Sequence, residues 1–210
     1  MKKRALLIAF FALSVTAWAQ TVRFDFEKDA AQKAPQGWKC VGEWRVLDDA
    51  TAWSGKHLLR MVRNPRQFLG YARGFNLCLR PTLRFVDGNL TVRFRAERGR
   101  QDQGGGILWR ARDSGTYYVA RYNPLEENFC FYKVIGGDRT LLAERDGIRL
   151  TPGWHTMTIR VRGDRVEGAL DAQVLLRARD RTLSGPGAAG LWTKADAVTS
   201  FDDFVVRTEP

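Results

Sequence analysis

Apolar and polar side chains alternate residue by residue through much of this sequence after position 20, and no other feature restricts the fold as strongly. Val22, Phe24 and Phe26 are interleaved with Arg23, Asp25 and Glu27, and Val92, Phe94 and Ala96 with Arg93, Arg95 and Glu97. Met157, Ile159 and Val161 alternate with Thr158, Arg160 and Arg162, and Val174, Leu176 and Ala178 with Leu175, Arg177 and Arg179. A strand sends successive side chains to opposite faces, so each run has one dry face and one wet face. A helix would scatter the same arginines around its axis. Between the runs stand Asp87-Gly88, Asp113-Ser114-Gly115, Gly136-Gly137-Asp138, Gly163-Asp164 and Asp171-Ala172, residues that supply the positive φ angles and local hydrogen bonds of tight turns. Strands thus recur about every ten residues with no capped helical stripe among them, apart from room for one short turn over 28–35. That spacing predicts an all-β chain of about a dozen strands in two antiparallel sheets.

The first nineteen residues read differently. Lys2, Lys3 and Arg4 precede an apolar run from Ala5 to Val15, and Ala17-Trp18-Ala19 places small residues at a cleavage position before Gln20. This is the three-part pattern of a signal peptide, and the apolar run is shorter than the roughly 20 residues a membrane span needs. The expectation is an exported, periplasmic or extracellular protein whose mature domain covers residues 20–210, with no later membrane span and no internal boundary. The chain has 34 Lys and Arg against 23 Asp and Glu, and losing the three basic residues of the leader reduces the formal charge of +11 to about +8. Nucleic acid is not the expected partner, because acids are interleaved with the basic residues, as in Arg95-Ala96-Glu97-Arg98 and Arg177-Ala178-Arg179-Asp180-Arg181. An anionic polysaccharide stays open as a partner.

The mature chain has three cysteines, Cys40, Cys78 and Cys130, so at least one thiol is unpaired. Cys78 and Cys130 sit in apolar runs, which predicts buried free thiols. A Cys40–Cys78 disulfide is the alternative. Twenty-one aromatic residues follow the leader, and most fall on the expected strands, where rings of this size dominate the core of two stacked sheets.

From about residue 104 the order of elements becomes specific. Gly105-Gly106-Ile107-Leu108-Trp109-Arg110 leads through a turn to Tyr117-Tyr118-Val119-Ala120-Arg121-Tyr122-Asn123-Pro124, then to Asn128-Phe129-Cys130-Phe131-Tyr132-Lys133-Val134 and Gly136-Gly137. Gly153-Trp154-His155-Thr156 opens the strand that ends at Arg162-Gly163-Asp164, and the close is Gly190-Leu191-Trp192-Thr193-Lys194-Ala195-Asp196 followed by Phe201-Asp202-Asp203-Phe204. This run resembles the 3-keto-disaccharide hydrolase-like domains of the concanavalin A-like lectin/glucanase superfamily. Phe24-Asp25-Phe26-Glu27 and Gly37-Trp38 extend the likeness more loosely. The resemblance implies a jelly roll of two curved antiparallel sheets in an exported protein that meets carbohydrate. The hydrolase name alone does not make each member a catalyst.

Three function classes follow: glycan binding, hydrolysis of 3-keto-glycosides on the same face, and a non-catalytic structural or adhesion role in the cell envelope. Laminarinase-type members of the superfamily carry Glu-x-Asp-x-x-Glu on one strand, and this sequence lacks it; Asp25/Glu27 and Glu144/Asp146 are pairs without a third acid. A 3-keto sugar instead asks for a base and an electrophile for an enolate. Arg110, Arg121 and Lys133 are candidate electrophiles, and no base is evident. His155 shares a strand face with Met157, Ile159 and Val161 and reads as a hydrogen-bonded core residue, while His57 is ambiguous. For binding, a turn at 113–115 and a loop at 123–128 place Arg110, Tyr118 and Lys133 on one sheet face, with Arg121, Trp192 and Lys194 completing a basic and aromatic patch. The superfamily resemblance further implies a structural calcium between the first and last strands, for which Asp25, Glu27 and Asp202 are the oxygen donors.

Overall fold

The computed structural model describes residues 19–63 and 74–209. The signal-peptide expectation falls almost wholly on residues 1–18, outside the described residues. Fifteen strands, numbered in chain order, form two sheets among the described residues, and none of these residues is helical. The first sheet runs β13 (Gln173–Arg179), β12 (Arg165–Leu170), β11 (His155–Arg162), β6 (Gly88–Arg98), β15 (Val198–Thr208), β4 (His57–Arg63) and β3 (Glu43–Asp48). β1 (Thr21–Phe24) pairs with the far half of β15 on the flank that β4 leaves open. The second sheet runs β10 (Asp138–Arg145), β9 (Asn128–Ile135), β8 (Thr116–Asn123), β7 (Gly105–Asp113), β14 (Gly187–Lys194), β5 (Phe75–Phe85) and β2 (Lys39–Val41). Every pairing is antiparallel, so the architecture is the two-sheet jelly-roll sandwich that the alternation predicts.

The inner faces are the dry faces read from the sequence. Val92, Phe94, Met157, Ile159 and Val161 of the first sheet pack against Ile107, Trp109, Tyr118, Ala120, Phe129, Phe131 and Leu191 of the second. Arg160 and Arg162 point to solvent, as a period of two requires. Gly168 on β12 faces the rings of the second sheet: a Cβ there would stand 2.5 Å from the Phe131 ring. Val174 departs from the expected pattern and is 40% exposed. Its strand pairs Gly168 with Leu176 but Ala169 with Val174, so Leu175 occupies a bulge and the alternation slips by one. Cys40 and Cys78 are joined by a disulfide, which corrects the expectation of a free thiol at Cys78. β2 lies beside β5 with these two residues directly opposite, a pairing between distant segments that no local pattern reveals. Cys130 is free and buried.

The second sheet also buries apolar side chains on its other face. Leu77, Leu108, Tyr117, Val119, Cys130, Tyr132, Val134 and Trp192 form a separate cluster, all on strands of this sheet and all offset by one position from the core set. The face is strongly concave. Arg139 on β10 places its guanidinium 4.1 Å from the Tyr132 ring centroid and 5.8 Å from that of Phe75 on β5. Flat, these two strands would stand five spacings of about 4.8 Å apart, roughly 24 Å.

Candidate functional site

Alternation along β8 sends Tyr117, Val119, Arg121 and Asn123 to the concave face, so two apolar positions are followed by two polar ones. β9 runs antiparallel beside it, with Arg121 opposite Cys130 and Asn123 opposite Asn128. The result is a face that is aromatic at one end and polar at the other. At the aromatic end Trp192 donates its indole N–H to Tyr117 Oη at 3.1 Å and packs against Phe75 with ring centroids 5.3 Å apart.

The polar end centres on Arg121, whose side chain is 1% exposed. Its Nη2 donates to Glu126 Oε2 at 2.8 Å, and Nη1 lies 3.5 Å from Tyr132 Oη. Asp102 reaches in from the connection between β6 and β7, with Oδ2 3.6 Å from Arg121 Nη2 and 3.3 Å from Lys194 Nζ. That connection is held in place by Asp196, whose carboxylate accepts the backbone N–H groups of Arg100, Gln101 and Asp102. Asn128 Nδ2 donates to Glu126 Oε2 at 3.2 Å and to Glu144 Oε1 at 2.8 Å, and the Cys130 thiol donates to the same Glu144 oxygen at 3.4 Å. Burial raises the Asp102 carboxyl above its ordinary range, against the pull of Arg121 and Lys194. For Arg121 burial works the other way, yet Asp102 and Glu126 outweigh it and hold the guanidinium charged.

Hydrogen bonding here is incomplete. Arg121 Nε, Asn128 Oδ1 and Asp102 Oδ2 are buried atoms without a hydrogen-bond partner, and so is Arg139 Nη1 at the aromatic end. Buried polar atoms are paired in the great majority of proteins, and an unpaired one costs about 1–3 kcal/mol. Four of the five such atoms among the described residues lie on this outer face, the fifth being Asn76 Oδ1 on β5, and their clustering marks a surface suited to meet something polar.

The six residues singled out from sequence fall into two groups. Arg121, Trp192 and Lys194 lie on the concave face. Tyr118 and Lys133, register partners on β8 and β9, face the opposite way. They meet at Asp180: Tyr118 Oη donates to Oδ1 at 2.6 Å and Lys133 Nζ to Oδ2 at 2.8 Å. Arg110 has φ 50° at an irregularity in the β7–β8 ladder and is 3% exposed. Its guanidinium donates to Val86 O, Leu183 O, Gly163 O and Asp87 Oδ1 at 2.8–3.0 Å, which pins three connections together and uses four of its five donors. Asp102, Glu126, Asn128, Tyr132 and Glu144 belong to the concave site and were not singled out; the run of polar residues closing β8 and opening β9 was the signal for two of them.

His155 is hydrogen bonded to Asp171 Oδ2 at 2.7 Å and Thr151 O at 2.6 Å, in line with its reading as a satisfied residue. The calcium donor set is committed elsewhere. Glu27 Oε1 accepts the backbone N–H groups of Lys56 and His57, Asp202 accepts those of Ser54 and Asp203, and Asp25 accepts that of Glu27. Among the described residues no group of three Asp, Glu, His or Cys side chains converges on a common point.

No protein-family model matches the sequence, and no curated protein does. Solved structures share the fold. The carbohydrate binding module CBM66 from Bacillus subtilis is 20% identical, covers 82% of this chain and 96% of its own, and superposes with a TM-score of 0.65. A Bacillus licheniformis beta-glucanase is 11% identical over 90% of this chain and 98% of its own, with a TM-score of 0.55. A Bacillus subtilis protein of unknown function with a galectin-like fold is 14% identical over 82% and 90%, also at 0.55. At these identities the likeness establishes the jelly-roll sandwich and nothing finer.

Proposed function

We propose that this chain is an exported carbohydrate-binding domain that holds glycan on the concave face of its second sheet, with Arg121, Asn128, Asp102 and Lys194 as its hydrogen-bonding floor, braced by the buried Tyr132 and Trp192 end. The observation that carries this reading is that Arg121 Nε and Asn128 Oδ1 are both buried and unpartnered, on two side chains that share Glu126. A sugar hydroxyl donates and accepts at once, so it can satisfy both kinds of atom. The fold shared with a carbohydrate binding module and a beta-glucanase is consistent with it. A glycan array with the purified protein tests it. Binding to at least one sugar class, weakened tenfold or more by Arg121→Lys with the circular dichroism spectrum unchanged, is the expected result. No binding across a broad panel, or binding indifferent to Arg121, would overturn it.

A second reading, hydrolysis of 3-keto-glycosides, gains one observation that the sequence lacked. Asp102 is a buried carboxyl with raised proton affinity, placed between two cations. In that reading Asp102 takes the proton from the carbon beside the ketone while Arg121 or Lys194 holds the enolate oxygen. The glycosidic C–O bond then breaks, its oxygen leaves protonated, and water adds to the unsaturated sugar. Release of glucose from 3-keto-trehalose, abolished by Asp102→Asn, is the required result; no release removes this reading and leaves binding intact.

A further inference from the structure

A basic protein with an arginine and a lysine in its candidate site invites an anionic ligand such as a uronate or a sulfated glycan. The charges around the site point the other way. Arg121 is held by Asp102 and Glu126, and Lys194 by the same Asp102. Glu144 shares Asn128 with Glu126 and has no cation paired with it among the described residues. Three carboxyl groups therefore surround two cations. Arg139 stands beyond the Tyr132 ring, and its guanidinium already lies over two aromatic rings.

The unpartnered atoms here are one donor, Arg121 Nε, and one acceptor, Asn128 Oδ1, while Asp102 Oδ2 is occupied by its ion pairs with Lys194 and Arg121. A carboxylate or sulfate can accept from the donor but has nothing to give to the acceptor, and it would bring a like charge beside Glu126 and Glu144. Sugar hydroxyls can meet both. Arg121 Nη2 and Asn128 Nδ2 donate to the same Glu126 oxygen, which brings the two side chains together, so a pair of neighbouring hydroxyls suits them. Glu126, with its side chain 46% exposed, forms part of the rim.

We infer that the concave site selects uncharged sugars presenting a free vicinal diol and rejects acidic glycans, despite the positive charge of the protein as a whole. The inference rests on the glycan-binding reading above. The broader positive charge lies elsewhere: Arg165 and Arg179 face each other across β12 and β13 at the edge of the first sheet, the sheet that does not carry the site.

The experiment uses matched probes. Acidic polysaccharides are compared with their carboxyl-reduced, neutral forms, alongside neutral polysaccharides before and after periodate cleavage of their diols, all by calorimetric titration against the intact protein in about 150 mM salt. The expected result is binding to neutral forms, loss on periodate treatment, and at least tenfold weaker binding to the acidic counterparts. Glu126→Gln with Glu144→Gln removes two negative charges and is expected to narrow that tenfold gap or reverse it. Acidic forms binding as tightly as neutral ones, through a site that Arg121→Lys disables, would overturn the inference while leaving the binding reading in place. Neutral binding that survives periodate would overturn the diol. Failure of every probe would overturn the binding reading itself, and this inference with it.

Discussion

Replacing Arg110 by alanine separates a structural latch from a binding residue. The side chain donates one hydrogen bond to a buried carbonyl, Leu183 O, two to partly buried carbonyls, Val86 O and Gly163 O, and one to Asp87. Leaving Leu183 O unpaired costs about 1–3 kcal/mol, and the two more accessible carbonyls about 0.5–1 kcal/mol each. Asp87 is about one-third exposed, so its ion pair adds less than about 1 kcal/mol. The sum is about 4 kcal/mol, or roughly 12 °C in Tm for a domain of this size. Urea denaturation followed by tryptophan fluorescence measures it, with the slope unchanged if the native state stays compact. Arg110→Lys, which reaches one or two carbonyls, recovers about a third of the loss. Glycan affinity, measured well below the transition, stays within twofold of the parent. A destabilisation under about 1 kcal/mol, or a loss of binding in a protein that is still folded, would refute the assignment of Arg110 to the latch.

Three further outcomes are expected. Burial pushes the Asp202 carboxyl up to about 6, with Asp203 and Glu27 adding to the shift against the hydrogen bonds from Ser54 and Asp203. The folded state thus holds a proton that the unfolded chain has released, so this group's contribution falls by about 2 kcal/mol as pH rises from 4 to 6, and Asp202→Asn flattens that part of the urea stability profile. Replacing Cys40 and Cys78 by serine opens a loop spanning 38 residues and lowers stability by about 4 kcal/mol, read from the same denaturation curves; a change under about 1 kcal/mol would argue against the bridge. Burial raises the Cys130 thiol to about 11, so a thiol-specific chromogenic reagent at pH 8 finds no reactive cysteine in the native protein and one after unfolding.

The period-two reading located the core directly, because each inner-face residue of β6 and β11 is set by its own strand's neighbours. It was weaker wherever the backbone adds or turns a residue. Arg110 occupies a position whose parity favours the concave face, yet a positive φ at the ladder irregularity turns it toward the intersheet connections. Tyr118 and Arg121 were grouped in one patch although an odd separation puts them on opposite faces of β8. Asp102 lies in a connection, where no period applies, and it reaches the site only because Asp196, nearly a hundred residues later, anchors three consecutive amides. The buried second face was invisible for a related reason: β8 and β9 carry the unbroken apolar runs Tyr117–Ala120 and Phe129–Tyr132, and such a run does not say which side carries the extra layer.

β15 has β6 along one flank, while β4 and then β1 share the other. Thr21 lies opposite Arg207, so the first strand takes its partner from the last. Phe24 stacks on Phe204 across that pairing, and the sheet closes on itself only when the two come together. Loss of β15 would remove the central rib that both halves of the first sheet require.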